Sequence, residues 1–292
     1  MLTNAFFQLT ARSPAARRAA FRMLFEYLAR AHRDALTWTQ MNYGYAGAAA
    51  GGHTVALDAA EETERYCHQL YHRVVSGFDL AGRDVVEVSC GRGGGAAFLH
   101  RKFKPRTMTG IDIAHAAVDF CRRVHRDPGL RYLQGDAEDL PLFDGSADAL
   151  VNVEASFCYA DIERFFSEVR RVLRPGGLFL YTDLRRREEV AGLEVSLRRS
   201  GLDLLECEDI TGNVLRALAL DARRRVSVVE VNVPWFARHA WRTFAGAPGT
   251  RIPSLLGDGR MRYLRYVLRK GAGDEAWPAC ASAGPNAEIL AA

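Results

Sequence analysis

The chain has 292 residues, 48% of them hydrophobic, and a formal net charge of +4. That supplies ample apolar surface for a buried core and excludes an intrinsically disordered chain. The charge is too mild to point to nucleic acid by itself, and all but three of the 39 basic residues are arginine, so a single arginine carries little information. No run approaches the roughly 18 apolar residues of a membrane span. The six cysteines lack CxxC or CxxH spacing, which argues against a disulfide framework or a zinc site and for a reducing, cytoplasmic setting.

The Arg-rich N-terminus has no acid before Glu26, a faint presequence pattern that continues into helical spacing at Phe21, Leu24, Phe25 and Leu28. Ser13-Pro14 supplies a cap and a first-turn proline for a helix over about 13–37. "MNYGYAGAAAGG" (41–52) reads as a hinged loop, and a second helix spans about 57–78. From Asp84 strands and helices alternate: "DVVEVSC", a helix to Phe103, "TMTGIDI", a helix through Arg126, "LRYLQGD", "ADALVNVEA", the helix "IERFFSEVRRVL" closed by Arg174-Pro175-Gly176-Gly177, and "LFLYTDL". That rhythm predicts right-handed crossovers and a parallel sheet covered on both faces. A helix over about 188–199, the strand "LDLLECEDIT", a mostly helical stretch over 212–257 and a last strand "MRYLRYVLRK" follow. The tail from Gly271 reads as disordered.

The expected fold is α/β: a Rossmann-like, seven-stranded, mostly parallel sheet with helices on both faces, an N-terminal helical lid and a helical insert before the last strand. The expected division is 1–78 as lid, 79–211 with 258–270 as core, 212–257 as substrate cap and 271–292 as tail.

The informative stretch is "VVEVSCGRGGG", in which Gly91, Gly93, Gly94 and Gly95 fill four of five positions after a strand. A glycine-rich turn at a helix N-terminus concentrates free N–H groups and suits an anion. A dinucleotide site runs from an apolar strand straight into Gly-x-Gly, whereas here Glu87 precedes the turn, and no GK[ST] follows. Asp112, at the end of the next strand, can accept both ribose hydroxyls. Asp136 can accept the adenine amino group, with Ile113 beside the ring and Ala137 leaving room for it. Glu87, Ser89, Gly91 and Gly93 would face the methionyl part, and Val153 the end of the fourth strand. Together these residues favour S-adenosyl-L-methionine over a nicotinamide cofactor.

With these residues in that order, the chain resembles class I S-adenosylmethionine-dependent methyltransferases. "VVEVSCGRGGG", "GIDI", "GDAEDLP", "VNVEAS" and "RVLRPGG" carry the resemblance. "LVNVEASFCY", "RRVLRPGGLFLYTDLR" and "NYGY" bring it nearest to the phthiotriolone/phenolphthiotriolone dimycocerosate methyltransferase-like enzymes of actinobacteria. The match runs from about Met41 to Lys270. In that group a histidine stands three positions past the glutamate of "VNVEAS"; here that position is Phe157.

The resemblance implies methyl transfer to an apolar small molecule, a polyketide, lipid or terpenoid, at carbon or oxygen. Cyclisation without net methylation is the alternative. Glu154 is the candidate base, with a loop-holding or cofactor-contacting role as the competing reading. Phe157 suits a carbon acceptor through its ring face, or an oxygen acceptor served by another base such as His53, His115 or His239. Tyr43, Tyr45, Phe157, Tyr159 and Trp235 are the expected substrate contacts, with Phe236, Trp241 and Phe244 in the same insert. The arginines of "DARRRV" read as a solvated helix face that could otherwise meet a phosphate. No metal ligand set, nucleic-acid partner or membrane span is expected, and the N-terminal helix could serve homo-oligomerisation.

Overall fold

The computed structural model describes residues 13–36, 38–47, 55–235, 238–271 and 281–282. Helix α1 (Pro14–Ala31) starts as its sequence dictates: Ser13 Oγ accepts the Ala16 N–H at 3.0 Å, with Pro14 in the first turn. A 3-10 turn (Glu61–Glu64) leads into α2 (Arg65–Val75). The alternating region follows as β1 (Asp84–Val88), α3 (Gly94–Phe103), β2 (Thr107–Asp112), α4 (His115–Val124), β3 (Leu130–Gln134), β4 (Ala147–Val153) and α5 (Ile162–Val172). Then come β5 (Leu173–Arg186), α6 (Val190–Arg199), β6 (Asp203–Asp209) and four insert helices: α7 (Thr211–Leu220), α8 (Ala222–Asn232), α9 (Arg238–Phe244) and α10 (Arg251–Gly257). Strand β7 (Met261–Arg269) closes the main sheet. No described helix is long and apolar enough to cross a membrane.

The strand order is β3-β2-β1-β4-β5-β7-β6-β8. The first five are mutually parallel, and β7 lies antiparallel between β5 and β6. The eighth strand is a two-residue piece, Ala281–Ser282, parallel to β6. This part of the tail was expected to lack order; the rest of the tail beyond Gly271 lies outside the described residues. Strand β5 also starts earlier than its apolar run, because Leu173 already pairs with Ala147 across a register shift.

Successive side chains of a strand point to opposite faces, and the core divides accordingly. Val85, Val151 and Leu180 enter one apolar cluster with Leu70, Val74 and Phe98, while Val86, Leu150 and Tyr181 enter another with Phe165, Phe166 and Val169. At the far end of the sheet from the strand C-termini, Asp84 gathers Arg106 and Arg174 at 2.5 and 2.9 Å, tying the starts of β1, β2 and β5 together. Their guanidinium groups hold its carboxyl well below the usual carboxylate range.

The chain leaves β1 toward β2 on one side and reaches β4 on the other. The topological switch point therefore lies between β1 and β4, whose C-terminal ends face the same way. One aromatic stack supports that edge from below: Phe166 packs edge-on against Phe179 and Tyr181, at centroid distances of 6.1 and 6.0 Å. Phe166→Ala is expected to lower unfolding free energy by about 3–5 kcal/mol, read as a fall in denaturation midpoint with an unchanged denaturant slope.

Candidate functional site

The loop after β1 turns on three left-handed residues, Ser89 (φ 59°), Gly91 (φ 53°) and Gly93 (φ 76°). The glycine cluster is explained largely by the protein itself. A Cβ on Gly93 would lie 2.7 Å from the Tyr132 ring, one on Gly94 2.5 Å from Thr39 Oγ1, and one on Gly95 2.0 Å from the Tyr71 ring. Side chains press onto this backbone from three directions. At Gly91 the neighbour is Met41 Cε, 2.9 Å away.

Glu87, the penultimate residue of β1, is buried. The Tyr71 hydroxyl donates to its Oε1 at 2.5 Å, while Oε2 is buried without a hydrogen-bond partner among the described residues. Burial pushes its carboxyl up to about 8. Asp112, ending β2, accepts the Gly91 N–H on Oδ2 at 2.8 Å and the Ala114 N–H on Oδ1 at 2.9 Å; burial raises it to about 6. Ile113 beside it is half-buried. In the loop after β3, Asp136 accepts the Glu138 N–H at 2.9 Å, and Ala137 is buried. Val153, buried, ends β4. The nine residues expected on this side thus gather at the C-terminal ends of four adjacent parallel strands.

Helix α1 roofs this region. Arg18 pairs with Glu138 and lies 3.5 Å from Asp136, and Glu26 accepts the Ala116 N–H at 3.2 Å. A cavity lies between α1 (Phe25, Leu28, Ala29) and Gly91, Asp112 and Ala117, with Trp38 and Met41 on one side. Arg92, the one arginine inside the glycine cluster, holds the helix end in place. Its guanidinium donates to the carbonyls of Trp38 (2.5 Å), Ala35 (2.8 Å) and His32 (3.1 Å) and lies 3.7 Å from the Phe120 ring centroid. Burial lowers it to about 10, and the carbonyls it holds belong to the segment just past α1, from the C-cap His32 to Trp38.

Across the switch point, Glu154 sits in a left-handed conformation (φ 51°) just past β4. The Tyr43 N–H and the Tyr263 hydroxyl both donate to its Oε2, each at 2.7 Å, so Oε1 remains for another partner. Burial outweighs those two bonds and pushes its carboxyl up to about 8. The following 3-10 turn (Ser156–Cys158) is pinned by Asp183, which accepts from Ser156 Oγ at 2.5 Å and from the Phe157 N–H at 2.9 Å, with Arg185 at 3.0 Å. Phe157 meets Phe21 of α1 edge-on at 6.2 Å.

The expected substrate contacts divide. Tyr43 and Phe157 flank Glu154. The Tyr159 hydroxyl instead bonds Ser89 Oγ (2.6 Å) and accepts from Asn152 (2.9 Å), tying the loops after β1 and β4 together. Tyr45 is buried in the core, its N–H on the Tyr66 carbonyl at 2.9 Å. Trp235 is 81% exposed and lines neither cavity described here; Phe236 and His53 lie outside the described residues. His115 is exposed and pairs with Asp119, and His239 is exposed. A second cavity lies between the segment 38–42 and helices α8 and α9, with Trp241 and Phe244 in its wall. Of the arginines of "DARRRV", Arg223 is exposed, whereas half-buried Arg224 and buried Arg225 reach this cavity paired with Asp221. Cys207 is disulfide-bonded, a bridge the cysteine spacing did not lead us to expect.

Sequence reasoning missed Arg18, Arg92, Tyr71 and Tyr263. Only Arg92 carried a local signal, as a bulky cation among glycines; the others arrive from distant segments.

A methyltransferase-domain family model matches residues 86–181. The chain is 42% identical over 214 residues to the phthiotriol/phenolphthiotriol dimycocerosates methyltransferase of Mycobacterium tuberculosis, covering 73% of this chain and 79% of that protein. It is 40% identical over 232 residues to the fatty-acid O-methyltransferase of Mycolicibacterium smegmatis, covering 80% and 83%. Among solved structures, the geranyl diphosphate C-methyltransferase of Streptomyces coelicolor, bound to Mg²⁺, geranyl diphosphate and S-adenosyl-L-homocysteine, superposes with a TM-score of 0.60 at 18% identity, over 87% of this chain and 97% of that one. The cyclase SpnF gives 0.65 at 18% identity, over 87% and 96%. At that identity the two structures share the fold.

The clamp on α1 is directly testable. Arg92→Met removes the donor from three carbonyls, and amide hydrogen exchange across 14–31 should speed up about tenfold or more while the β1–β4 amides stay protected. Unchanged exchange would show that α1 is held by its other contacts alone.

Proposed function

Since the chain belongs to the S-adenosylmethionine-dependent methyltransferases, we propose that it methylates an oxygen of an apolar, lipid-like acceptor, with Glu154 as the base. Methyl transfer is favoured over cyclisation without methylation because the two relatives described above are methyltransferases, one of them acting on phthiotriols and the other on fatty acids by their names.

The residues fit the donor. Glu87 Oε2, buried and unpartnered, would accept from a methionyl ammonium; the Ser89–Gly93 backbone would lie along that part. Asp112 would take the ribose hydroxyls, Ile113 and Ala137 would border the adenine, and Asp136 would accept its amino group. Val153 would line the donor from β4. The bound cofactor supplies a methyl already activated by its sulfonium, so the protein is left with alignment, exclusion of water and one proton. Residues 13–47 would act as the lid and 212–257 as the substrate cap.

The single observation that carries the reading is the state of Glu154. Two donors converge on Oε2, which fixes the carboxylate in orientation and leaves Oε1 to take the acceptor's proton as its oxygen attacks the methyl carbon. Its elevated proton affinity suits that task at neutral to mildly basic pH. A carbon acceptor is the second reading, favoured by Phe157, whose ring would border cationic character developing in an alkene.

Only the ionised carboxylate can accept a proton, and in the free enzyme Glu154 ionises near 8. With a long-chain alcohol as acceptor, kcat/KM should rise as pH climbs through about 8. Glu154→Gln should abolish that limb and lower kcat by about 10²–10⁴-fold, with S-adenosylhomocysteine binding retained. A Gln variant with wild-type turnover would remove Glu154 from the chemistry. Separately, Asp112→Asn should weaken S-adenosylhomocysteine binding about 10- to 100-fold by calorimetry.

A further inference from the structure

The cavity between the segment 38–42 and helices α8 and α9 is lined by Trp38, Met41, Val228, Val229, Trp241 and Phe244 among its apolar groups. Two donors in its wall have no hydrogen-bond partner among the described residues, Gln40 Nε2 and Arg225 Nε, of which only the second faces a carboxylate, Asp221 at 3.1 Å. Gln40 is 4% exposed, and its Nε2 is buried without a partner among the described residues. The orientation of that amide follows from its neighbours. The Gly44 N–H donates to Asn42 Oδ1 at 2.9 Å, which turns the Asn42 nitrogen toward Gln40 Oε1 at 3.4 Å and leaves Gln40 Nε2 as a free donor. The backbone is equally fixed: the Gln40 N–H bonds Glu64 at 3.0 Å and its carbonyl accepts from Trp38 Nε1 at 2.9 Å.

The two guanidinium groups in the wall face two carboxylates, Asp221 and, 3.8 Å from Arg224, Glu64. Arg224 forks onto Asp221 at 2.8 and 2.5 Å. Arg225 donates to the carbonyls of Ala245 and Asn42, both at 3.1 Å, with Nε 3.1 Å from Asp221. The chamber is therefore apolar, electrically compensated and equipped with one neutral donor. Trp38 and Met41 also line the cavity over Gly91 and Asp112, so it shares a wall with the region where the donor would lie.

We propose that this chamber holds the acceptor and that Gln40 determines its class: a neutral lipid alcohol rather than a phosphorylated one, whose oxygen accepts from Gln40 Nε2. A buried amide with nothing to donate to is costly, and a site built around such a donor discriminates strongly against molecules lacking the oxygen. The inference deepens the methyl-transfer reading and rests on it, but its test reads binding and not turnover.

Full-length protein saturated with S-adenosylhomocysteine would be titrated with decan-1-ol and with undecane, a hydrocarbon of matched shape, following the fluorescence of the chain's tryptophans, of which Trp38 and Trp241 line the chamber. Gln40→Leu and the length-matched Gln40→Met should shift the alcohol-to-hydrocarbon affinity ratio about tenfold toward the hydrocarbon. Undiminished S-adenosylhomocysteine binding would confirm that each variant is folded. An unchanged ratio in folded variants, or no fluorescence response to either probe in the wild type, would overturn the assignment. Normal probe binding without methyl transfer to any acceptor would instead count against the proposed reaction alone.

Discussion

Residues 39–43 belong to no helix or strand, so their N–H groups have no ladder to enter, and buried carboxylates take them instead. Glu64 accepts from the backbone of Thr39 and Gln40 and from the Thr39 hydroxyl; Glu154 accepts from Tyr43. This short strap is the wall that the two cavities have in common. Everything that distinguishes one side of the site from the other depends on its staying where those carboxylates put it.

The arrangement explains why so many buried acids cluster at this end of the sheet. Glu64, Glu87, Asp112 and Glu154 all have their proton affinity raised by burial, and each except Glu64 sits at or just past the end of a strand. Hydrogen bonds from backbone and tyrosine only partly offset the loss of hydration. Such groups are poor contributors to stability and natural ones to a site that binds a cation and moves a proton. The opposite end of the sheet shows the contrast: Asp84, flanked by Arg106 and Arg174, is held ionised and serves structure.

Most of the fold was legible because its signals are local. Strand-helix alternation from Asp84 onward, the cap at Ser13 and the apolar strand runs need only neighbouring residues. The acids at strand ends were legible for the same reason. What escaped was whatever depends on segments meeting in space. Tyr263 reaches Glu154 from β7, 109 residues away, and Tyr71 reaches Glu87 from a helix before the sheet begins. Nothing in "MRYLRYVLRK" marks one tyrosine for a carboxylate. The aromatic insert shows the limit from the other side: its composition was informative, but Trp235, in the turn after α8, is exposed while Trp241, on α9, lines a cavity. The glycine cluster was noticed for a ligand, yet much of its crowding comes from Tyr71, Thr39 and Tyr132.

The strap's two tethers also limit how this wall can vary. Gln40 is bound to Glu64 and Tyr43 to Glu154, and only Met41 and Asn42 lie between those anchor points. An added or deleted residue there would pull one N–H off its carboxylate, whereas an exchange of side chain would leave both anchors intact. Diversification of this partition is thus confined to changes of bulk at fixed length, with Met41 as the adjustable element.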